Sequence, residues 1–164
     1  METIPSIWRT EVLHALSVHL PLASLILAAL LFLASWVIKK SWIIPASGFL
    51  LVTGTIGAWV SMYTGNAADG IVARTLCDPT VLKDHDNGAL ITSILFTVAS
   101  ILYFIPFTQY FQRFRSAIKA ITSLLLIVAT AFLMYVGHLG ASLVYQQGAG
   151  TFQPSPDCIE FNDK

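Results

Sequence analysis

Four long apolar segments alternate with shorter or more polar stretches along the chain. A helix needs roughly 20 mainly apolar residues to cross the hydrocarbon core of a bilayer, and each segment is long enough. The pattern predicts helices over about residues 11–38, 42–65, 85–107 and 117–146. A polar loop at residues 66–84 joins the second and third helices, and a polar tail at residues 147–164 follows the fourth. The predicted fold is an all-α membrane protein, a single-domain bundle of four transmembrane helices.

The composition supports the membrane class. Hydrophobic residues make up 55% of the chain and charged residues 11%, whereas a soluble domain carries about 25% charged residues. The formal net charge is zero, so the basic surface typical of a nucleic-acid-binding protein is not expected. The stretch before the first apolar segment lacks the basic region and the small-residue cleavage site of a signal peptide. We therefore expect that segment to be a retained helix in contact with the lipid bilayer.

The charged residues predict the orientation of the helices. Two short connections, at residues 39–42 and 108–119, contain no acid and carry the basic residues Lys39, Lys40, Arg113, Arg115 and Lys119. All nine acidic residues fall on the other predicted side. Basic connections stay in the cytoplasm by the positive-inside rule. Both termini and the loop at residues 66–84 are therefore expected outside.

The two cysteines share the predicted outer side. Cys77 lies in the middle loop and Cys158 in the tail. Disulfides persist in oxidising compartments outside the cytoplasm, so we expect a disulfide between these two residues that ties the tail across the outer mouth of the bundle. Two free thiols, or a bond to a partner protein, are the alternatives.

Four histidines lie in or beside the predicted outer half of the membrane. With a rise of about 1.5 Å per residue, His19 and His138 lie about 13 Å and 12 Å below the outer surface, and His14 and His85 lie closer to it. Two pairs at matched depth result. His14 and His19 are roughly 140° apart around one helix, so each is expected to face a different neighbouring helix.

Haem is the cofactor that best fits imidazoles from two facing helices of a four-helix bundle. His19 and His138 are the predicted axial ligands of the haem iron. His14 and His85 are predicted to bind at a second site or to contact the propionates. The two pairs differ in depth by only about 7 Å, so one haem is expected rather than two. The sequence has no C-x-x-C-H, which excludes covalent attachment.

Plainer roles compete with haem binding at several of these positions. His14 and His85 are equally suited to hydrogen bonds with water, headgroups or loop carbonyls, and His19 to a carbonyl freed by Pro21. Small residues leave room for a macrocycle, but they equally allow close packing of helices. The small residues recur every four positions on one face of each helix: Gly57, Ser61 and Gly65 on the second helix, and Gly137 and Ala141 on the fourth.

Three short motifs resemble those of a large family of bacterial four-helix membrane proteins of unknown function. HALSVHLP at residues 14–21 is similar to its HPxxVHFP-type motif, and GASLVYQQGAG at residues 140–150 to its GxxLVYxxGxG pattern. KDHDNGALI at residues 83–91 resembles the start of its third helix. Ala15 replaces the usual proline, and Gln147 stands where many members have a histidine. Some relatives resemble b-type cytochrome modules, so the resemblance implies haem b and the bacterial inner membrane, with the termini on the periplasmic side.

The predicted function is a haem b electron-transfer protein or subunit that exchanges electrons with quinol or an external cytochrome. A quinone is a second candidate cofactor, and no residue is assigned a catalytic role, so an electron-transfer subunit is expected rather than a stand-alone enzyme. The alternative is a non-catalytic accessory subunit of a larger respiratory or photosynthetic complex. A copper or zinc site of His14, His19 and His85 is a further alternative. A transporter is disfavoured, because no span has an acid near its centre.

Overall fold

The computed structural model describes residues 8–151 and contains only helices there. The α-helices are α1 (Thr10–Ser17), α2 (His19–Ala34), α3 (Ile43–Val72), α4 (Pro79–Phe104) and α5 (Arg115–Gln147). Two short 3₁₀ helices, Ile105–Phe107 and Gln109–Phe114, join α4 to α5. Four helical stretches of this part of the chain are long and apolar enough to cross a membrane, with α1 and α2 together forming the first. The all-helical, four-span fold is therefore confirmed.

The first span is broken at Val18 because of the proline that follows. Pro21 has no N–H to donate to the carbonyl of Ser17, four residues earlier, and its ring crowds that carbonyl. The helix continues past the break through a hydrogen bond from the Val18 N–H to His14 O, at 3.2 Å. The Ser17 hydroxyl also donates to His14 O, at 2.9 Å. The predicted single helix over residues 11–38 is therefore interrupted at Val18 and divides into α1 and α2.

The polar loop expected at residues 66–84 is mostly helical. Helix α3 continues to Val72, and α4 begins at Pro79. Proline suits the first position of a helix, and the preceding Asp78 caps α4 by accepting hydrogen bonds from the Thr80 N–H at 2.9 Å and from the Thr80 hydroxyl at 2.6 Å. Hydropathy identifies the membrane-spanning part of a helix, so it does not detect polar turns that extend beyond that part.

Helices α2, α3, α4 and α5 form a ring in which each contacts the next, and α5 contacts α2. Helices α2 and α4 are therefore diagonal partners. The core between them is made mainly of leucine, alanine and aromatic side chains: Leu25, Ala28, Ala29, Phe32, Leu51, Phe96, Ala99, Tyr103, Leu126 and Ala129. At most 33% of the most apolar window of each span is buried. The remaining apolar surface is suited to contact with lipid.

The bundle has two chemically different ends. The histidine end comprises the starts of α1 and α4 and the ends of α3 and α5, and it includes His14 and His85. The basic end lies at the other end of the same helices. It contains Lys39, Lys40, Arg113, Arg115 and Lys119. Every acidic side chain within residues 8–151 lies at the histidine end: Glu11, Asp69, Asp78, Asp84 and Asp86.

Close packing of α3 on α4 depends on a glycine. The Tyr103 hydroxyl donates to the Ile44 carbonyl at 3.0 Å, and its ring lies directly over Gly48. A Cβ atom at residue 48 would lie 2.2 Å from Tyr103 Oη. Overpacking of a close contact costs about 1–3 kcal/mol. We expect Gly48→Ala to lower the thermal unfolding temperature of the detergent-solubilised protein.

Gly137→Ala is the matched control, because a Cβ atom there would meet nothing within 4 Å. Its unfolding temperature should equal or exceed that of the wild type, since alanine favours helix more than glycine does. Equal unfolding temperatures for Gly48→Ala and wild type would contradict the close contact with Tyr103.

The cap of α4 makes the start of this helix sensitive to acid. Hydrogen bonds from the Thr80 hydroxyl and N–H hold the pKa of the exposed Asp78 carboxyl below its ordinary value. The cap therefore stabilises α4 at neutral pH, and this contribution is lost as the pH falls below about 3.9 and through the lowered pKa. Amide protection at residues 80–82 should decrease across that range.

Asp78→Asn keeps a hydrogen-bond acceptor without a charge that titrates, so its protection at residues 80–82 should not depend on pH in this way. Asp78→Ala should lack the extra protection at every pH. If the wild type and Asp78→Asn responded identically to acid, the carboxylate would not be the group responsible.

Candidate functional site

Two histidines from diagonal sides of the bundle meet at the histidine end. His14 on α1 and His85 on α4 have ring centroids 6.3 Å apart, with the ring planes at 84°. Both side chains are half-buried. The sequence-based depths had placed these two residues at the same level, and the structure brings them together.

The ring of His14 has a defined tautomer. Its Nδ1 lies 3.1 Å from the carbonyl oxygen of Ser61 on α3. A carbonyl can only accept a hydrogen bond, so Nδ1 carries a proton and donates it. The Thr64 hydroxyl donates to the same carbonyl at 3.0 Å and lies 2.9 Å from the Ser17 hydroxyl. The Nε2 atom of the neutral ring is left with a lone pair.

His85 repeats this arrangement on another helix. Its Nδ1 lies 3.1 Å from the carbonyl oxygen of Val136 on α5, so this nitrogen also donates. Neither Nε2 atom has a hydrogen-bond partner within residues 8–151. Metal-bound histidines usually have this geometry, in which one ring nitrogen donates to a carbonyl or carboxylate and the other binds the metal. The pair therefore presents two oriented nitrogen donors.

Glycines allow both rings to lie against the backbone of a neighbouring helix. A Cβ atom at Gly65 would lie 3.1 Å from His14 Cε1, and one at Gly140 would lie 3.2 Å from His85 Cε1. Gly57 makes room in the same way for the ring of Pro21. The small residues on α3 thus serve close packing, as the simpler of the two sequence-based interpretations has it.

His19 and His138 do not face each other inside the bundle. Both side chains are exposed on its outer surface. His19 precedes the inward-facing Pro21 by two residues, and His138 follows the buried Val136 by two. Two residues correspond to roughly 200° around a helix, so each ring points away from the core. Depth along the helix matched these two histidines, but the faces of α2 and α5 do not bring them together.

Helix α1 lies apart from α4 and α5. Within residues 8–151 no Cα atom of α1 lies within 8 Å of a Cα atom in either helix, whereas α1 does contact α3. Helix α1 also contains no fully buried residue. His14 and His85 therefore face each other where the helices that carry them are not packed together.

Polar groups surround the pair. Asp86 on α4 is half-buried and close enough to His14 and Asp69 to interact with them electrostatically. The Ser61 hydroxyl is buried and has no hydrogen-bond partner in the part of the chain that the structure describes. The residue whose carbonyl orients the His14 ring thus also carries a buried polar group that a ligand could satisfy.

The spacing of His14 and His85 is that of two nitrogen ligands on opposite sides of one metal ion. Nitrogen–metal bonds of about 2 Å on both sides of a metal hold two ligand nitrogens roughly 4 Å apart, and hence the ring centres roughly 6 Å apart. The separation of 6.3 Å matches this value. A pair of exposed rings on the outer surface, as formed by His19 and His138, does not offer an enclosed site. The proposed three-histidine copper or zinc site is not assembled either, since no three potential ligands come together among residues 8–151.

Sequence reasoning missed the groups that orient the histidines. The acceptors are the main-chain carbonyls of Ser61 and Val136, and a carbonyl leaves no mark on the sequence. Thr64 could have been noticed, since it lies one position before Gly65 on the small-residue face of α3.

Two further sequence-based expectations concern this end of the bundle. Cys77 is exposed in the connection between α3 and α4, while Cys158 lies outside the described residues, so their disulfide stays a prediction. Gln147, which departs from the family pattern, accepts a hydrogen bond from the Asp78 N–H at 3.2 Å. It thereby links the end of α5 to the start of α4.

The hydrogen bonds predict the protonation of the four rings in metal-free protein. With ¹⁵N-labelled histidine, His14 and His85 should show a protonated Nδ1 and an unprotonated Nε2 in nitrogen NMR spectra at neutral pH. His14→Ala and His85→Ala should each remove one such signal, whereas His19→Ala and His138→Ala should leave both. Protonated Nε2 atoms at His14 and His85 would contradict the structure.

The chain matches one family model, described as "Predicted membrane protein (DUF2231)", over residues 10–153. This range includes all five helices. No curated protein and no solved structure matches the chain.

Proposed function

The chain belongs to the DUF2231 family of predicted membrane proteins, and we propose that it is a membrane-embedded haem b electron-transfer protein. The family description gives a membrane location and no activity. The observation that carries the proposal is the pair of neighbouring imidazoles, His14 and His85, with ring centres 6.3 Å apart and each Nδ1 proton donated to a carbonyl. In the proposal this pair replaces His19 and His138 as the axial ligands.

His14 and His85 would hold the haem through their Nε2 atoms. The Ser61 and Val136 carbonyls fix the two ring orientations, and a hydrogen bond to Nδ1 raises the basicity of the opposite nitrogen. Gly65 and Gly140 let each ring lie close to its acceptor helix. These groups orient the ligands before any cofactor binds, which favours binding because less freedom is lost.

A bound b-type haem supplies a one-electron couple, and the protein adjusts its potential through axial ligands, hydrogen bonding and burial. The residues of the chain would hold it at the histidine end, where the carboxyl groups of Asp86 and Asp69 lie near the ligands. If the basic end faces the cytoplasm, the site lies near the outer surface of a bacterial inner membrane. Quinol, or an external cytochrome as part of a larger electron-transfer complex, would then exchange electrons there.

An absorption experiment tests the proposal. The full-length protein, expressed with a supply of haem and purified in detergent, should show a b-type band in its reduced-minus-oxidised spectrum. His14→Ala and His85→Ala should each lose most of the band. His19→Ala and His138→Ala are matched controls and should retain it, with circular dichroism and size-exclusion chromatography showing that all variants are folded.

Two results would overturn the proposal. A folded wild-type protein without a b-type band would exclude haem and favour the alternative of an accessory subunit, which co-purification with large membrane subunits would support. Loss of the band only in His19→Ala and His138→Ala would assign the ligands to the outer surface of the bundle.

A further inference from the structure

A cavity of 270 Å³ lies at the basic end, opposite the histidines. All four spans contribute to it, through the end of α2, the start of α3, the end of α4 and the start of α5. This volume is many times the roughly 10–15 Å³ that a single water needs, so the cavity has room for a polar headgroup.

Two cations line this cavity. Arg115 is the first residue of α5, and Lys119 follows one turn later. Every acidic side chain within residues 8–151 lies at the histidine end, and the one ion pair in that part of the chain joins Arg9 to Glu11. Arg115 and Lys119 therefore have no carboxylate of the described chain to neutralise them, and the cavity attracts anions.

Lys119 is held in place by neutral groups. Its ammonium donates to the Ser35 carbonyl at 3.1 Å and lies 4.5 Å from the centre of the Trp36 ring. The Trp36 N–H donates to the Ser123 hydroxyl at 2.9 Å. An ammonium group has three hydrogens, so donors remain for a further acceptor. The positive charge is positioned by the protein but not cancelled.

The remaining walls are apolar and aromatic. Phe32 and Tyr103 form part of the bundle core, and Phe107 lies in the 3₁₀ helix after α4 with its ring centre 5.5 Å from that of Tyr103. Ile44, Leu102 and Pro106 complete the apolar side. A ligand for this cavity therefore combines an anionic group with apolar substituents. At the end of transmembrane helices, such a molecule is available in the membrane itself.

We propose that the basic-end cavity binds the anionic headgroup of a membrane phospholipid, with the phosphate at Arg115 and Lys119 and the apolar part of the lipid against Phe32 and Phe107. Basic pockets between transmembrane helices bind anionic lipid headgroups in this way. The chemistry recognised is a phosphate, so free inorganic phosphate is the competing source. This site is independent of the haem proposal, because it lies at the other end of the bundle.

Lipid binding to the full-length protein in uncharged detergent micelles tests the inference, with binding measured by native mass spectrometry. Phosphatidylglycerol should bind in a one-to-one complex and more tightly than phosphatidylcholine. Arg115→Gln should lower the affinity for phosphatidylglycerol roughly fivefold, as expected for one cation near a headgroup, and the double variant with Lys119→Gln further.

Arg113→Gln and Lys40→Gln are matched controls, because both residues are exposed at the same end and neither lines the cavity. Without a charged membrane surface, these variants should bind phosphatidylglycerol like the wild type. Arg115→Gln alone keeps the inference testable if Lys119→Gln disturbs the end of α2. Thermal unfolding of each variant without added lipid shows whether it is folded.

Three results would overturn the inference. Equal binding of the two lipids would show that the anionic charge is not recognised. An equal loss of affinity in the control variants would show that the cavity is not the site. Inorganic phosphate that displaces phosphatidylglycerol and binds as tightly would show that the apolar walls contribute nothing to recognition.

Discussion

The contact between Pro21 and Gly57 sets how closely the first span packs on α3. Pro21 interrupts the hydrogen bonding of the first span, and Gly57 on α3 provides the space in which its ring packs, since a Cβ atom there would lie 3.1 Å from Pro21 Cβ. On the N-terminal side of this contact α1 also packs on α3, and within residues 8–151 it contacts neither α4 nor α5. This packing places the His14 ring at the Ser61 carbonyl.

The absence of water from a bilayer core explains much of the remaining structure. Every backbone polar group and hydroxyl must find a partner within the protein, and the buried hydroxyls mostly do so on their own helix. Thr55, Thr92 and Thr122 each donate to the carbonyl four residues earlier. Hydroxyls also join helices, as between Thr55 and Ser100 at 3.0 Å. Small polar residues thus allow close approach of the helices, and the buried hydroxyls of Ser47, Ser61 and Thr130 are the exceptions that have no partner within residues 8–151.

The spans could be predicted from the sequence because hydropathy depends on composition, which does not change on folding. The facing of side chains could not, because it depends on which face of each helix packs inside the bundle. The separation of roughly 140° correctly put His14 and His19 on different faces, but His14 lies against α3 and His19 is exposed rather than facing a neighbouring helix. Depth estimates placed His14 level with His85 correctly. For His19 and His138 the estimates gave the same depth but not the direction in which each ring points. That direction decides whether two rings meet.

The histidine orientation relies on main-chain acceptors, and this has a consequence for sequence change. Any residue at positions 61 and 136 supplies the same carbonyl oxygen, provided that the helix keeps its course. The orientation of the two rings therefore limits side-chain volume at these positions but does not require a hydrogen-bonding side chain there. The tautomer of each imidazole is independent of which side chain occupies position 61 or 136, so the sequence shows the donors and not the groups that orient them.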